Sequence, residues 1–82
     1  MDDETALRDL VAFIAKSLVD DPAAVEVRVR GDDRALVVEL RIAPGDMGKV
    51  IGRGGRIARA MRAVVRAAAI KSGRRVLVEI LQ

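Results

Sequence analysis

Gly48-Lys49-Val50-Ile51-Gly52-Arg53-Gly54-Gly55-Arg56-Ile57 is the stretch on which the reading of this chain turns. Val50, Ile51 and Ile57 call for burial, whereas Gly52-Arg53-Gly54-Gly55 between them suits a tight turn that side chains would obstruct. The pattern predicts a short helix from Met47 to Ile51, a glycine loop, and a second helix from about Arg56 to Lys71. A helix start leaves backbone N–H groups without intrahelical acceptors and carries the positive end of the dipole, so it attracts phosphate. Glycine has no Cβ to hold a sugar-phosphate chain away. Arg53 and Arg56 add guanidinium forks matched to phosphate oxygens, and Lys49 adds a point charge.

Two other glycine-loop chemistries fail on detail. A P-loop ends in Gly-Lys-Ser/Thr, but Gly48-Lys49 is followed by Val50. A dinucleotide fingerprint needs a strand before the loop and a small residue after it. Here a short helix precedes, and Ile57 stands where the last glycine would be.

Upstream, Leu7, Leu10, Val11, Ile14 and Leu18 recur at helical spacing and predict an amphipathic helix over 4–19, with Asp2 or Asp3 as its cap and Phe13 off the stripe. Asp20-Asp21-Pro22 ends it. Val25, Val27 and Val29 alternate with Glu26, Arg28 and Arg30, which predicts a half-buried strand over 25–30. After a turn at Gly31-Asp32-Asp33, Leu36, Val38, Leu40 and Ile42 share one face of a second strand over 35–42, paired antiparallel with the first. Ala43-Pro44-Gly45 breaks that strand, and Asp46 is placed to cap the short helix.

Downstream, the expected buried stripe of the second loop-flanking helix is Ile57, Met61, Val64 and Ala68. Arg59, Arg62 and Arg66 line the opposite side, either as a solvated face or as a surface for a polyanion. Ser72-Gly73 closes the helix. Residues 74–81 form a third strand, with Val76, Val78 and Ile80 on one face and Leu77 and Leu81 on the other; Arg74 and Arg75 read as structural or solubilising. The order is α-β-β-α-α-β, an α+β class with one small core, and the whole of residues 1–82 reads as one domain.

Charge is segregated along the chain. Residues 1–46 hold 6 Lys/Arg against 11 Asp/Glu, whereas residues 47–82 hold 9 against 1. That asymmetry suits one surface built for a polyanion and another that avoids it. Without His, Cys, Tyr or Trp, most general bases, nucleophiles and soft metal ligands are missing, so neither an enzyme, a metal site nor a cofactor is expected. No apolar run has the length of a membrane span, and the acidic start Met1-Asp2-Asp3-Glu4 is unlike a signal peptide.

Val50-Ile51-Gly52-Arg53-Gly54-Gly55-Arg56-Ile57 resembles the KH signature V-I-G-x-x-G-x-x-I, and the element order resembles the type II, prokaryotic arrangement. The expected fold is therefore a type II KH domain, a three-stranded sheet covered by helices on one face. The resemblance extends over nearly the whole chain and is close to the small stand-alone bacterial KH proteins of the KhpA family. It implies a cytoplasmic protein that binds single-stranded RNA and acts as an RNA chaperone or post-transcriptional regulator. It further implies a homodimer, or a heterodimer with a larger KH-containing protein, and a link to cell size and envelope homeostasis. Carried over by residue, Gly52 and Gly55 frame the motif and Arg53-Gly54 are its variable pair; Lys49, Arg56 and Arg59 complete the expected RNA-binding set. KH domains clamp about four nucleotides, and their aliphatic groove needs no aromatic platform. From a different class, a KH-shaped protein-interaction module without RNA binding of its own stays open.

The last helix is apolar over more than one stripe, with Val65 beside Met61, Val64 and Ala68. Either all of it packs on the sheet or first helix, or Val64 and Val65, with small Ala60, Ala67 and Ala68 nearby, meet a second KH module.

Overall fold

The computed structural model describes residues 3–82, without the side chains of Asp3 and Lys71. Six main elements follow in the expected order: α1 (Asp3–Leu18), β1 (Glu26–Gly31), β2 (Ala35–Arg41), α2 (Met47–Ile51), α3 (Arg56–Ala68) and β3 (Arg75–Leu81). The cap expected at Asp2 or Asp3 lies outside the described residues. Among those residues, no helix is long and apolar enough to cross a membrane.

The strands form one sheet in the order β1-β2-β3. β1 and β2 pair antiparallel through the Asp32 turn, and β3 joins β2 in parallel. Asp32 makes that turn by accepting the N–H groups of Arg34 and Ala35 at 2.8 and 3.1 Å. Those donors hold its carboxyl below the usual carboxylate value.

Register explains the alternation read in the strands. Val29, Val38 and Val78 lie in one row on the helix-covered face, and Arg30, Val37 and Leu77 lie in a row on the open face. Leu36, Val38, Leu40 and Ile42 are all buried, as their spacing requires. Leu7, Val11 and Ala15 of α1 close over them, while Phe13 stays 71% exposed. With its only aromatic in water, the chain builds its core from aliphatic side chains and Met61.

α3 departs from the expected stripe by a rotation of about one residue. Ala58, Met61, Val65 and Ala69 are buried, whereas Ile57 is half-buried and Val64 and Ala68 are exposed. The helix carries two overlapping apolar stripes. The face chosen puts small Ala58 and Ala69 inward, where they allow close approach, and turns Ile57 sideways onto the glycine loop. Val65 is wholly buried and belongs to the core, so the expectation that it meets a second module is overturned; Val64, 46% exposed, keeps that role open.

Asp46 also departs from expectation. It occupies the N-cap position of α2 but makes no capping bond, because the turn Pro44–Asp46 already gives it near-helical dihedral angles. Its buried carboxylate instead accepts the N–H groups of Asp20 and Asp21 at 3.2 and 3.1 Å. The end of α1 is thereby stapled to the start of the helix pair that carries the loop.

Candidate nucleic-acid interface

The loop is built from three glycines at positive φ, each serving a different need. Gly52, at φ 78°, lies so close to Ile57 that a Cβ there would come within 2.7 Å of its Cγ1. That contact locks the end of α2 against the first turn of α3. Gly54, at φ 64°, has open space where a Cβ would be and forms the bare apex of the loop. Gly55, at φ 79°, stands at the N-cap of α3 and brings no side chain to close the helix start. Two amides turn inward, Gly55 N–H to the Gly52 carbonyl and Arg56 N–H to that of Arg53. The remaining opening of α3 carries the positive end of a helix of 13 residues.

Arg53 and Arg56 flank this apex and are exposed. Among the described residues no ion pair engages Arg53, Arg56, Arg59, Arg62 or Arg66. The other expected site residues are engaged elsewhere. Lys49 is paired with Asp20 at 2.8 Å and lies 3.9 Å from Asp46. The Asp20 hydrogen bond and charge hold its ammonium above the ordinary lysine value, so it is cationic at neutral pH but partly neutralised. Arg59 turns back along its helix and donates from Nη1 to the Gly54 carbonyl at 2.8 Å. The Arg stripe of α3 is not uniform either. Arg62 is half-buried and leans across to β3, its Nε 3.4 Å from the Val78 carbonyl.

Gly52, Arg53, Gly54, Gly55 and Arg56 are thus brought together at one exposed corner, with Arg59 behind them and Lys49 drawn to one side. Sequence reading missed the pairing partners of Lys49 and Arg59. It also missed the trough between α3 and β3, lined by Arg62, Arg66, Val76, Leu77 and Val78. The alternation of β3 predicts its faces but says nothing of which helix lies beside it.

This geometry has close relatives. A family model described as "KhpA/KhpB, KH domain" matches residues 8–80. The chain belongs to the KhpA/KhpB KH-domain family. A protein of Caldanaerobacter subterraneus subsp. tengcongensis, called RNA-binding protein KhpA, is 55% identical over 89% of this chain and 97% of its own length. Its namesake from Clostridium perfringens is 52% identical over 92% of this chain and all of its own. Another, from Aquifex aeolicus, is 46% identical over 95% and 99%. Among solved structures, Era in complex with MgGDPNP and nucleotides 1506–1542 of 16S ribosomal RNA superposes with a TM-score of 0.64 and 19% identity. The superposition covers 99% of this chain and 31% of the Era chain. At that identity it speaks for the fold alone, and the fold is type II KH.

Proposed function

We propose that residues 1–82 form one KH domain that binds single-stranded RNA without catalysis, in the cytoplasm, as an RNA chaperone or post-transcriptional regulator. The observation that carries this reading is the bare Gly54 apex at the open start of α3, with Arg53 and Arg56 exposed beside it and, among the described residues, in no ion pair. Phosphates of the backbone sit at the apex, and bases turn into the aliphatic trough beside α3. The RNA-binding name shared by the relatives supports the same reading.

Binding to short single-stranded RNA at two salt concentrations tests it. Backbone contacts dominate, so affinity falls steeply with salt, sequences are weakly discriminated, and duplex RNA binds less well. A chain that ignores RNA at low salt would instead be a protein-interaction module.

Within this site Arg59 acts as a brace. Gly54 adds backbone freedom that binding would have to remove, and the guanidinium on its carbonyl removes it beforehand. Arg59→Gln and Arg59→Lys should both weaken RNA binding, since neither carries the planar guanidinium whose Nη1 reaches the Gly54 carbonyl. The slope of log K against log salt should stay that of the parent. Losing a direct phosphate contact would lower that slope by roughly 0.7 per contact on a single strand, and Arg59→Lys would then bind nearly normally.

We further propose that the chain pairs with a second KH module, its own copy or one in a larger protein, through the exposed side of α3. Val64 is the large apolar side chain there, and Ala60, Ala67 and Ala68 are small enough to admit another helix. Val64→Asp should yield a folded monomer in sedimentation, with RNA affinity reduced on the order of tenfold or more through lost avidity. A parent that sediments as a monomer at high concentration, unchanged by this substitution and by candidate KH partners, contradicts the pairing.

A further inference from the structure

The end of α1 and the start of α2 meet at a small charged junction. Asp46 accepts the N–H groups of Asp20 and Asp21, which fixes the backbone of Asp20 beside α2. From that fixed point the Asp20 carboxylate reaches the Lys49 ammonium at 2.8 Å, and Asp46 adds a second oxygen at 3.9 Å. Lys49 precedes Gly52 by three residues, roughly 4.5 Å along α2 at 1.5 Å per residue. The carboxylate that holds it therefore competes for a cation at the rim of the glycine loop. Arg53 and Arg56, beyond Gly52, have no such competitor: among the described residues they make no ion pair.

The contact is anchored on one side and loose on the other. The buried Asp46 carboxylate sets where Asp20 stands, but the Asp20–Lys49 pair itself is in water, its side chains 79% and 46% exposed. An ion pair so placed contributes little to the fold and exchanges easily. A lysine ammonium carries three donors in no fixed fork, on a flexible stem, so it can pass from a carboxylate to a phosphate oxygen without losing geometry. The Asp20 oxygen thus stands in for a phosphate oxygen while the site is empty.

We propose that Asp20 is a brake on the RNA site: in the free protein it occupies Lys49, and a bound strand displaces it before Lys49 closes on the RNA backbone. The brake rests on the RNA-binding reading above. Affinity for one short single-stranded RNA at one moderate salt concentration, measured on the parent, Asp20→Asn, Lys49→Gln and the double variant, tests it. Both side chains are exposed and outside the buried cluster, so circular dichroism should match the parent's, and Asp20→Ser serves should Asp20→Asn lose its fold. Asp20→Asn should bind about three- to fivefold tighter, which is what an exposed ion pair near the top of its range is worth. Lys49→Gln should bind more weakly than the parent and lower the slope of log K against log salt by roughly 0.7, one phosphate contact on a single strand. In the Lys49→Gln background the Asp20 substitution should change affinity by less than about 1.5-fold, since salt screens a carboxylate that no longer competes for a cation. Binding of Asp20→Asn that equals the parent's overturns the brake and leaves the pair a structural contact between α1 and α2. Equal tightening with and without Lys49 also overturns it, because Asp20 would then act only as a repelling charge. So does a Lys49→Gln protein that binds RNA like the parent. If parent and variants alike ignore RNA at low salt, the RNA-binding reading fails and the brake with it, an outcome distinct from tight binding indifferent to Asp20.

Discussion

Replacing Arg53 and Gly54 together by aspartate is expected to abolish RNA binding and to leave the fold standing. The exposed Arg53 loses its guanidinium, and two carboxylates face the phosphates at the loop apex. A unit charge 4 Å from a phosphate costs up to about 4 kcal/mol at an effective dielectric near 20. Losing an attraction and gaining two repulsions therefore weakens binding at least roughly 100-fold even after screening by salt. The fold tolerates the change because nothing lies within 4 Å of a Cβ at Gly54. Its φ of 64° belongs to the left-handed region, where aspartate is among the side chains best accommodated. Neither position contributes to the buried cluster. Circular dichroism and a thermal melt close to the parent's, with no saturable binding to single-stranded RNA at low salt, are the expected results. A folded double variant that binds like the parent would remove the loop from the site.

Asp46→Ala produces the largest loss of stability expected of a single substitution of a polar residue in this chain. The carboxylate is 4% exposed and holds two backbone N–H groups from residues 25 and 26 positions away in sequence. A hydrogen bond to a charged group contributes about 1.5–3 kcal/mol, so losing both, with the amides left in a half-buried place, costs about 3 kcal/mol or more. In a domain of this size that lowers the melting temperature by roughly 15 °C. Asp46→Asn keeps one acceptor oxygen but presents an amide N–H₂ to the second donor, so its loss should fall between parent and alanine. Melting of the three proteins at neutral pH checks the order. The functional consequence follows from the same geometry. Once the end of α1 is released, α2 and the loop it leads into are less firmly placed, and RNA binding weakens near the melting transition before it does well below it. A shift below about 3 °C for Asp46→Ala would show that the staple contributes little.

Element order and strand faces were legible in the chain because each follows from a local rule. Leu36, Val38, Leu40 and Ile42 alternate, so one face of β2 is buried whatever lies above it. Gly52, Gly54 and Gly55 sit where only a turn with positive φ serves, and the V-I-G-x-x-G-x-x-I pattern around them is specific enough to point to the family. The segregation of charge between residues 1–46 and 47–82 was equally visible; among the described residues the arginines around the loop make no ion pair. Tertiary structure decided what depends on partners distant in sequence. α3 offers two apolar stripes, and only packing against the sheet selects Val65 over Val64. Asp46 looks like a helix cap until the end of α1 arrives to claim its carboxylate, which happens because the fold brings residues 20, 21, 46 and 49 to one place. The same meeting ties Lys49 to Asp20, so a lysine next to the loop in sequence is not a free cation in space. Arg59 and Arg62 look alike on a helical wheel, yet one reaches back to Gly54 and the other across to β3. Periodicity reports which side of an element is apolar; which neighbour covers it, and what each long polar side chain finds within reach, is set by the packing of the elements together.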